Sequence, residues 1–125
     1  MATSSSAGRT NLRLSPEEYA KRLWDWTPLN EAFDRGIRVG DIDGMVECGG
    51  RFLFLEGKPP GQVLATGQRL ALQRLAALPG VTVIVVRGQP PREVAGWDVI
   101  GKQHYDGKMV ELAAFIRLWF EASDA

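Results

Sequence analysis

Residues 41–58 read Asp-Ile-Asp-Gly-Met-Val-Glu-Cys-Gly-Gly-Arg-Phe-Leu-Phe-Leu-Glu-Gly-Lys, and this stretch decides the fold. Gly49 and Gly50 lie between two runs of residues that favour strands. A glycine pair in that position predicts a two-residue β-hairpin turn, because such turns need positive φ at both central residues. With this turn, Asp43 faces Glu56 across the hairpin.

The open end of this hairpin carries charges that a purely structural sheet would avoid. Directly opposed like charges destabilise a sheet, and covered carboxylates are costly unless they are paired or bind a metal. Glu56 and Lys58 are two residues apart, so they point to the same face as Asp43. Two carboxylates on strands about 5 Å apart suit a hard cation such as Mg²⁺. The pattern therefore predicts metal-assisted phosphodiester hydrolysis.

Apolar periodicity predicts the remaining elements of the chain. Helices are predicted at residues 16–24, 29–35, 63–78 and 107–121. Strands are predicted at residues 37–48, 51–56, 81–86 and 96–100. The predicted fold class is α/β, with a mixed central sheet of about four strands, flanked by helices, whose β-hairpin carries the active site.

Length and composition are typical of one globular domain. The chain has 125 residues, of which 45% are hydrophobic. Residues 1–14 are small and polar, which predicts a disordered tail followed by a single domain over residues 15–125. No apolar run approaches the ~20 residues that a membrane helix needs. A single cysteine and a single histidine exclude an internal disulfide and a multi-histidine zinc site, and fit a reducing cytoplasm.

Net charge is informative about partners. Fifteen basic residues balance fifteen acidic residues, so the formal net charge is zero. This balance argues against tight, general DNA binding, although a local basic patch is enough for contact with phosphates.

Asp43, followed downstream by Glu56-Gly57-Lys58, resembles the signature of the PD-(D/E)XK nuclease superfamily. The order helix, hairpin, helix, strand is similar to the core topology of that superfamily. Gly67-Gln68 in the following helix is similar to the glutamine-bearing helix of its RecB-like and virus-type branches. The proline of the motif is absent, since Ile42 precedes Asp43. The resemblance covers residues 15–122 and extends to small, stand-alone nuclease-fold proteins of phages.

The resemblance implies a restriction-endonuclease-like core and a DNA nuclease that depends on Mg²⁺ or Mn²⁺. In that case Asp43 and Glu56 bind the metal with the backbone carbonyl of Gly57. Lys58 positions the attacking water, and Gln68 orients a water or a phosphate. These are the four expected catalytic residues and the expected metal ligands.

Arg69 and Arg74, on the same helix as the glutamine, are the expected contacts to the DNA backbone. Such contacts give affinity without sequence choice. The expected partner is single-stranded, duplex or branched DNA, with RNA left open, in the cytoplasm of a bacterium or a phage-infected cell. One hypothesis is a homodimer through the aromatic last helix, with Phe115, Trp119 and Phe120 at the interface.

Two other interpretations stay open. The chain is alternatively a catalytically silent nuclease-fold module that binds nucleic acid or supports assembly, which its small size and neutral charge favour. It is also conceivable as a subunit that cleaves only in a larger complex. The presence of Asp43, Glu56 and Lys58 argues against a silent module.

Three further charged residues have ordinary interpretations. We expect Asp41 to pair with Lys58 across the hairpin rather than to act as a minor metal ligand. We expect Glu31 to be a surface residue rather than an extra ligand. His104 is expected in a loop before the last helix.

Overall fold

The computed structural model describes residues 15–122. The tail predicted at residues 1–14 lies outside the described residues. The chain divides into two compact units, Met1–Gly40 and Asp41–Ala125, which are described separately. That residues 15–125 form a single nuclease-like domain stays a prediction.

The first unit contains two short helices. Helix α1 spans Pro16–Lys21 and begins with a capping box between Ser15 and Glu18. It ends before the predicted residue 24, and Trp24 stacks on Trp26 with ring centroids 5.6 Å apart. Residues two apart do not face each other on a helix, so this stacking requires that the helix has ended.

The predicted helix at residues 29–35 is instead a 3₁₀ helix at Thr27–Ala32, with Pro28 in its first turn. Glu31 is exposed on this helix, as expected for a surface residue.

The second unit is a five-stranded mixed sheet with two helices. Its elements in chain order are β1 (Gly44–Cys48), β2 (Arg51–Lys58), α2 (Thr66–Ala76), β3 (Val81–Gln89), β4 (Glu93–Val99), β5 (His104–Asp106) and α3 (Met109–Ala122). The strands lie in the order β1-β2-β3-β4-β5. Strands β2 and β3 are parallel, and the other neighbours are antiparallel. This confirms the α/β prediction and adds a fifth strand, β5, which was predicted as a loop.

The hairpin turn is built as the sequence predicts. Gly49 and Gly50 have φ angles of 59° and 84°. The carboxylate of Glu47 accepts a hydrogen bond from the Gly50 N–H at 2.8 Å, which closes the turn. Met45 pairs with Phe54, which is the predicted register. The first strand begins only at Gly44, so the predicted start at residue 37 is wrong.

Helix α3 covers one face of the sheet. Leu53 and Ile84, both at 0% exposure, belong to the core cluster on this face. Trp119 is buried in the same cluster, and Phe115 packs against it. Two of the three aromatic residues predicted at a dimer interface therefore belong to the core. No helix within residues 15–122 is long and apolar enough to span a membrane.

The opposite face of the sheet carries helix α2, which packs against β3. Val83 and Val85, which alternate with Ile84 and so lie on this face, are buried. The chain reverses between β3 and β4 with a register shift at Arg87 and Gly88. A Cβ on Gly88 would lie 2.1 Å from the carbonyl oxygen of Glu93, so only glycine fits this bulge.

The bulge gives a stability prediction. Gly88→Ala forces the β3–β4 backbone apart, so we expect the free energy of unfolding to fall by about 1–3 kcal/mol, the usual cost of overpacking. Gly67→Ala is the matched control, because nothing lies within 4 Å of a Cβ at Gly67 in α2. We expect it to be neutral or to stabilise by up to ~1 kcal/mol. Urea denaturation of both variants tests this; equal effects would contradict the assigned bulge.

Candidate active site

Asp43 is held at the point where the hairpin ladder ends. If β1 extended toward the N-terminus in the same register, Ile42 would pair with Gly57, and the Gly57 N–H would donate to the carbonyl of Ile42. The strand begins at Gly44, and the Gly57 N–H donates instead to Asp43 Oδ2 at 2.8 Å. The N–H and C=O of one strand residue point to the same neighbour. The Gly57 carbonyl therefore faces the edge on which Asp43 lies.

Glu56 lies on the face of the sheet that α2 covers, and it is partly buried. Its Oε2 accepts a hydrogen bond from Gln68 Nε2 at 2.8 Å. Gln68 lies in the first turn of α2, so the crossover helix brings this glutamine to the carboxylate. The structure thus brings together two residues that are twelve positions apart in the sequence.

The two carboxylates share an electrostatic property. Each has one oxygen held by an uncharged N–H donor, while no described residue donates to Asp43 Oδ1 or Glu56 Oε1. Among residues 15–122, no Lys, Arg or His forms an ion pair with either group. Two carboxylates without an ion-pair partner favour the binding of an oxygen-preferring metal ion.

Lys58 ends β2 and is half-buried. The expected pairing with Asp41 is wrong, since no ion pair joins these two described residues. The reason is that β1 begins at Gly44, so Asp41 is never brought opposite Lys58 in the ladder. The Lys58 ammonium forms no ion pair with any described carboxylate and is free to contact a substrate.

A pocket of about 320 Å³ opens at the end of β2, and we call it the β2-end pocket. Asp43, Gly57 and Lys58 line one side of it, and Arg92 from the β3–β4 connection lines another. Arg92 was not predicted as a site residue. Nothing in its local sequence marks it, because its position depends on how the β3–β4 hairpin folds back toward the end of β2.

The two arginines predicted to contact DNA point in different directions. Arg69 lines a second pocket of about 540 Å³, together with Arg87 and His104. Arg74 lies in the last turn of α2, about 140° around the helix from Arg69. The structure therefore places Arg69, but not Arg74, on a concave surface.

His104 lies in strand β5, so its predicted place in a loop is wrong. Its Nδ1 lies 2.7 Å from Asp98 Oδ1, and its Nε2 lies 2.8 Å from Asp106 Oδ1. Hydrogen bonds to Asp106 and Asp98 raise the pKa of His104 above its ordinary value of 6.5. Burial by itself would raise the pKa of Asp98, but hydrogen bonds from His104 and Arg87 outweigh it and lower that pKa below 3.8.

A metal ion at the β2-end pocket would have few protein ligands. Within the described part of the chain, no three His, Cys, Asp or Glu side chains are grouped to hold a metal ion. Asp43 lines this pocket, and the Gly57 carbonyl faces the edge on which Asp43 lies; Glu56, one position before Gly57 on β2, is not among the residues that line the pocket and would have to supply the second carboxylate from there. This donor set fits Mg²⁺, which commonly keeps several waters and uses one or two carboxylates.

No family model, curated protein or solved structure matches this chain. The resemblance to PD-(D/E)XK nucleases therefore depends on the residues of this chain alone.

The geometry around His104 predicts its titration. As the only histidine, it gives an unambiguous NMR titration, and we expect a pKa above 6.5. Asp106→Asn should lower this pKa, because it removes the largest cause of the shift. A pKa at or below 6.5 in the wild-type protein would contradict the two hydrogen bonds.

The same shift predicts how stability depends on pH. Since folding raises the pKa of His104, its contribution to stability is complete below about pH 6.5 and disappears as the pH rises through the folded-state pKa. The loss of stability in His104→Gln should therefore be larger at about pH 5.5 than at about pH 9. Urea denaturation at both pH values measures it, and a loss that grows with pH would contradict the sign.

Proposed function

We propose that this protein is a metal-dependent nuclease of the PD-(D/E)XK type that hydrolyses phosphodiester bonds in DNA. One observation carries the proposal: near the end of the hairpin, Asp43 and Glu56 each have one oxygen hydrogen-bonded to an uncharged N–H donor, and neither forms an ion pair with a described cation. Asp43 and Lys58 both line the β2-end pocket. The ladder ends at the pair Gly44 and Leu55, so Asp43 and Glu56 do not form the sheet pair that the sequence predicts. Two carboxylates near a strand end that carries a lysine without an ion pair nevertheless suit the binding of a divalent ion beside a phosphate.

Asp43, Glu56 and the Gly57 carbonyl would hold the ion, and Mg²⁺ or Mn²⁺ there would supply electrostatic stabilisation of the charge that develops on the scissile phosphate. Gln68 acts as a positioning residue, because its amide fixes the carboxylate of Glu56 from α2. The Gly57 N–H has the same effect on Asp43. Both carboxylates are thereby pre-organised, which reduces the reorganisation that catalysis would otherwise require.

Lys58 would position the attacking water. Its ammonium has three N–H donors and no competing ion pair among the described residues. It can therefore hydrogen-bond to the attacking water and fix its direction toward phosphorus. The same positive charge stabilises the extra negative charge of the transition state.

Because the net charge of the chain is zero, DNA binding requires a local cluster of positively charged side chains near the site. Lys58 and Arg92 line the β2-end pocket, and Arg69 and Arg87 line the second pocket. Arg87 is paired with Asp98, so Lys58, Arg92 and Arg69 are the three cations of these pockets that could supply the local patch that phosphate contact needs. We further propose that the protein acts in the cytoplasm of a bacterium or of a phage-infected cell.

Cleavage assays test the proposal directly. We expect Mg²⁺- or Mn²⁺-dependent cutting of single-stranded, duplex or branched DNA. Glu56→Gln and Lys58→Met should each reduce kcat by about 100-fold or more, as the loss of a transition-state contact commonly does. The matched controls are Glu31→Gln and Lys102→Met, which change exposed residues outside the two pockets. Full activity in Glu56→Gln would contradict the proposal.

Metal binding is measured separately from cleavage by thermal stability. A ligand that binds only the folded state stabilises it by about 2.7 kcal/mol at 100 times its Kd. We expect Mn²⁺ to raise the Tm of the wild-type protein and to have little effect on Asp43→Asn. Asp41→Asn is the control, and a normal response in it excludes Asp41 as a ligand. A folded protein that binds DNA without responding to metal would instead be the silent binding module.

A further inference from the structure

We propose that the second pocket is a phosphate-binding subsite that holds another backbone phosphate of the same nucleic-acid strand. We call it the β5 pocket; loop residues 60–64, Arg69, Arg87, Gly96, His104 and Asp106 contribute to its wall. The identity of the ligand as a nucleic acid rests on the proposed function. The chemistry of the pocket is argued independently of it.

The β5 pocket lies on the same sheet face as Glu56. Residues paired across neighbouring strands share a face, and the register pairs Glu56 with Val85, Val85 with Asp98, and Asp98 with His104. His104 is therefore three strand spacings from Glu56, or about 14 Å at ~4.8 Å per spacing. This distance is several times the ~3.4 Å axial rise of one nucleotide, so a strand must extend over more than one phosphate step to contact both sites.

Arg87 forms part of the wall of the β5 pocket and is held in place by hydrogen bonds. Its Nε donates to Asp98 Oδ2 at 3.1 Å, and its Nη1 donates to the carbonyls of Pro59 and Gln62. These bonds tie the loop that leaves Lys58 to the centre of the sheet. They also neutralise Asp98, so Arg87 is committed to structure and its charge is largely balanced.

Gly96 has no side chain, and this leaves room for the His104 ring against the backbone. A Cβ at Gly96 would lie 3.1 Å from His104 Cε1 and 2.7 Å from the Tyr105 carbonyl oxygen, so the imidazole lies close against the bare backbone. Nδ1 of the ring is hydrogen-bonded to the carboxylate of Asp98. The other nitrogen, Nε2, contacts Asp106, whose side chain is 91% exposed and therefore easily displaced. An oxyanion can replace this carboxylate as the acceptor.

The charges that face His104 favour an anion over a metal ion. Asp98 on β4 is paired with Arg87 on β3, and these two charges cancel. Asp106 on β5 is balanced by the imidazole when His104 is protonated, a state that its raised pKa favours. Arg69 on α2 lines the pocket without an ion pair to any described carboxylate, which leaves one net positive charge. A phosphate oxygen would accept hydrogen bonds from Arg69 and from His104 Nε2.

NMR of the single histidine tests this in metal-free buffer, with inorganic phosphate as the first probe. We expect phosphate to shift the His104 ring resonances and to raise the pKa of His104 further. Arg69→Gln should weaken binding about tenfold, the usual scale for one charge-assisted hydrogen bond. Compared at about pH 5.5, below the ordinary pKa of a histidine, Asp106→Asn should strengthen binding, because it removes the competing carboxylate from an exposed position.

Arg74→Gln is the matched control on the same helix and should leave phosphate binding at His104 unchanged. Resonances that do not move in millimolar phosphate would overturn the proposal. Equal weakening in Arg69→Gln and Arg74→Gln would also overturn it, because the effect would then reflect overall charge.

A second probe separates this proposal from the nuclease proposal. A six-nucleotide DNA strand should shift the His104 resonances at lower concentration than a dinucleotide, which is too short to reach from Glu56. If the wild-type protein cleaves DNA but neither strand shifts the His104 resonances, the subsite proposal is overturned and the nuclease proposal is kept. A protein that cuts nothing but binds phosphate and the longer strand through His104 would support the subsite and overturn the nuclease.

Discussion

The register of the β1–β2 hairpin is the constraint on which the rest of the structure depends. It is set by the turn at Gly49 and Gly50, since a two-residue turn allows only one pairing of the flanking strands. A slip by one residue would move Glu56 and Lys58 to the face that α3 covers. The observed register keeps them on the α2 face and brings the Gly57 N–H to the carboxylate of Asp43.

The parallel pairing of β2 with β3 explains where the pockets lie. The crossover through α2 brings the carboxyl ends of both strands to one edge of the sheet. In open α/β sheets, this is the edge at which ligands usually bind. Arg87, near the end of β3, bonds to the loop that follows β2, so the same edge carries the candidate metal ligands and the wall of the β5 pocket. The two proposed sites therefore lie at the same edge of the sheet.

The sequence predicts those parts of the fold that depend on local patterns. The hairpin, its register and the helix that carries Gln68 follow from glycine positions and from apolar periodicity, and the structure has all three. The start of β1 was missed, because a side chain of Asp43 replaces a backbone acceptor and so ends the ladder early. Periodicity does not reveal such an exchange.

Long-range packing accounts for the other differences. Strand β5 has only three residues, too few for an alternating pattern, and its pairing with β4 brings His104 between Asp98 and Asp106. The last helix was predicted correctly, but which of its aromatic residues enter the core depends on how it crosses the sheet. Trp119 proved to be buried, which local sequence does not specify.

The central claim is that Asp43, Glu56 and the Gly57 carbonyl together bind a divalent cation. Crystals grown with Mn²⁺ and measured at the manganese absorption edge test this most directly. We expect an anomalous peak about 2.0–2.3 Å from Asp43 Oδ1, Glu56 Oε1 and the Gly57 oxygen, at the usual distances of hard cations to oxygen. A well-ordered hairpin without a peak there, or with manganese bound only elsewhere, would contradict the account.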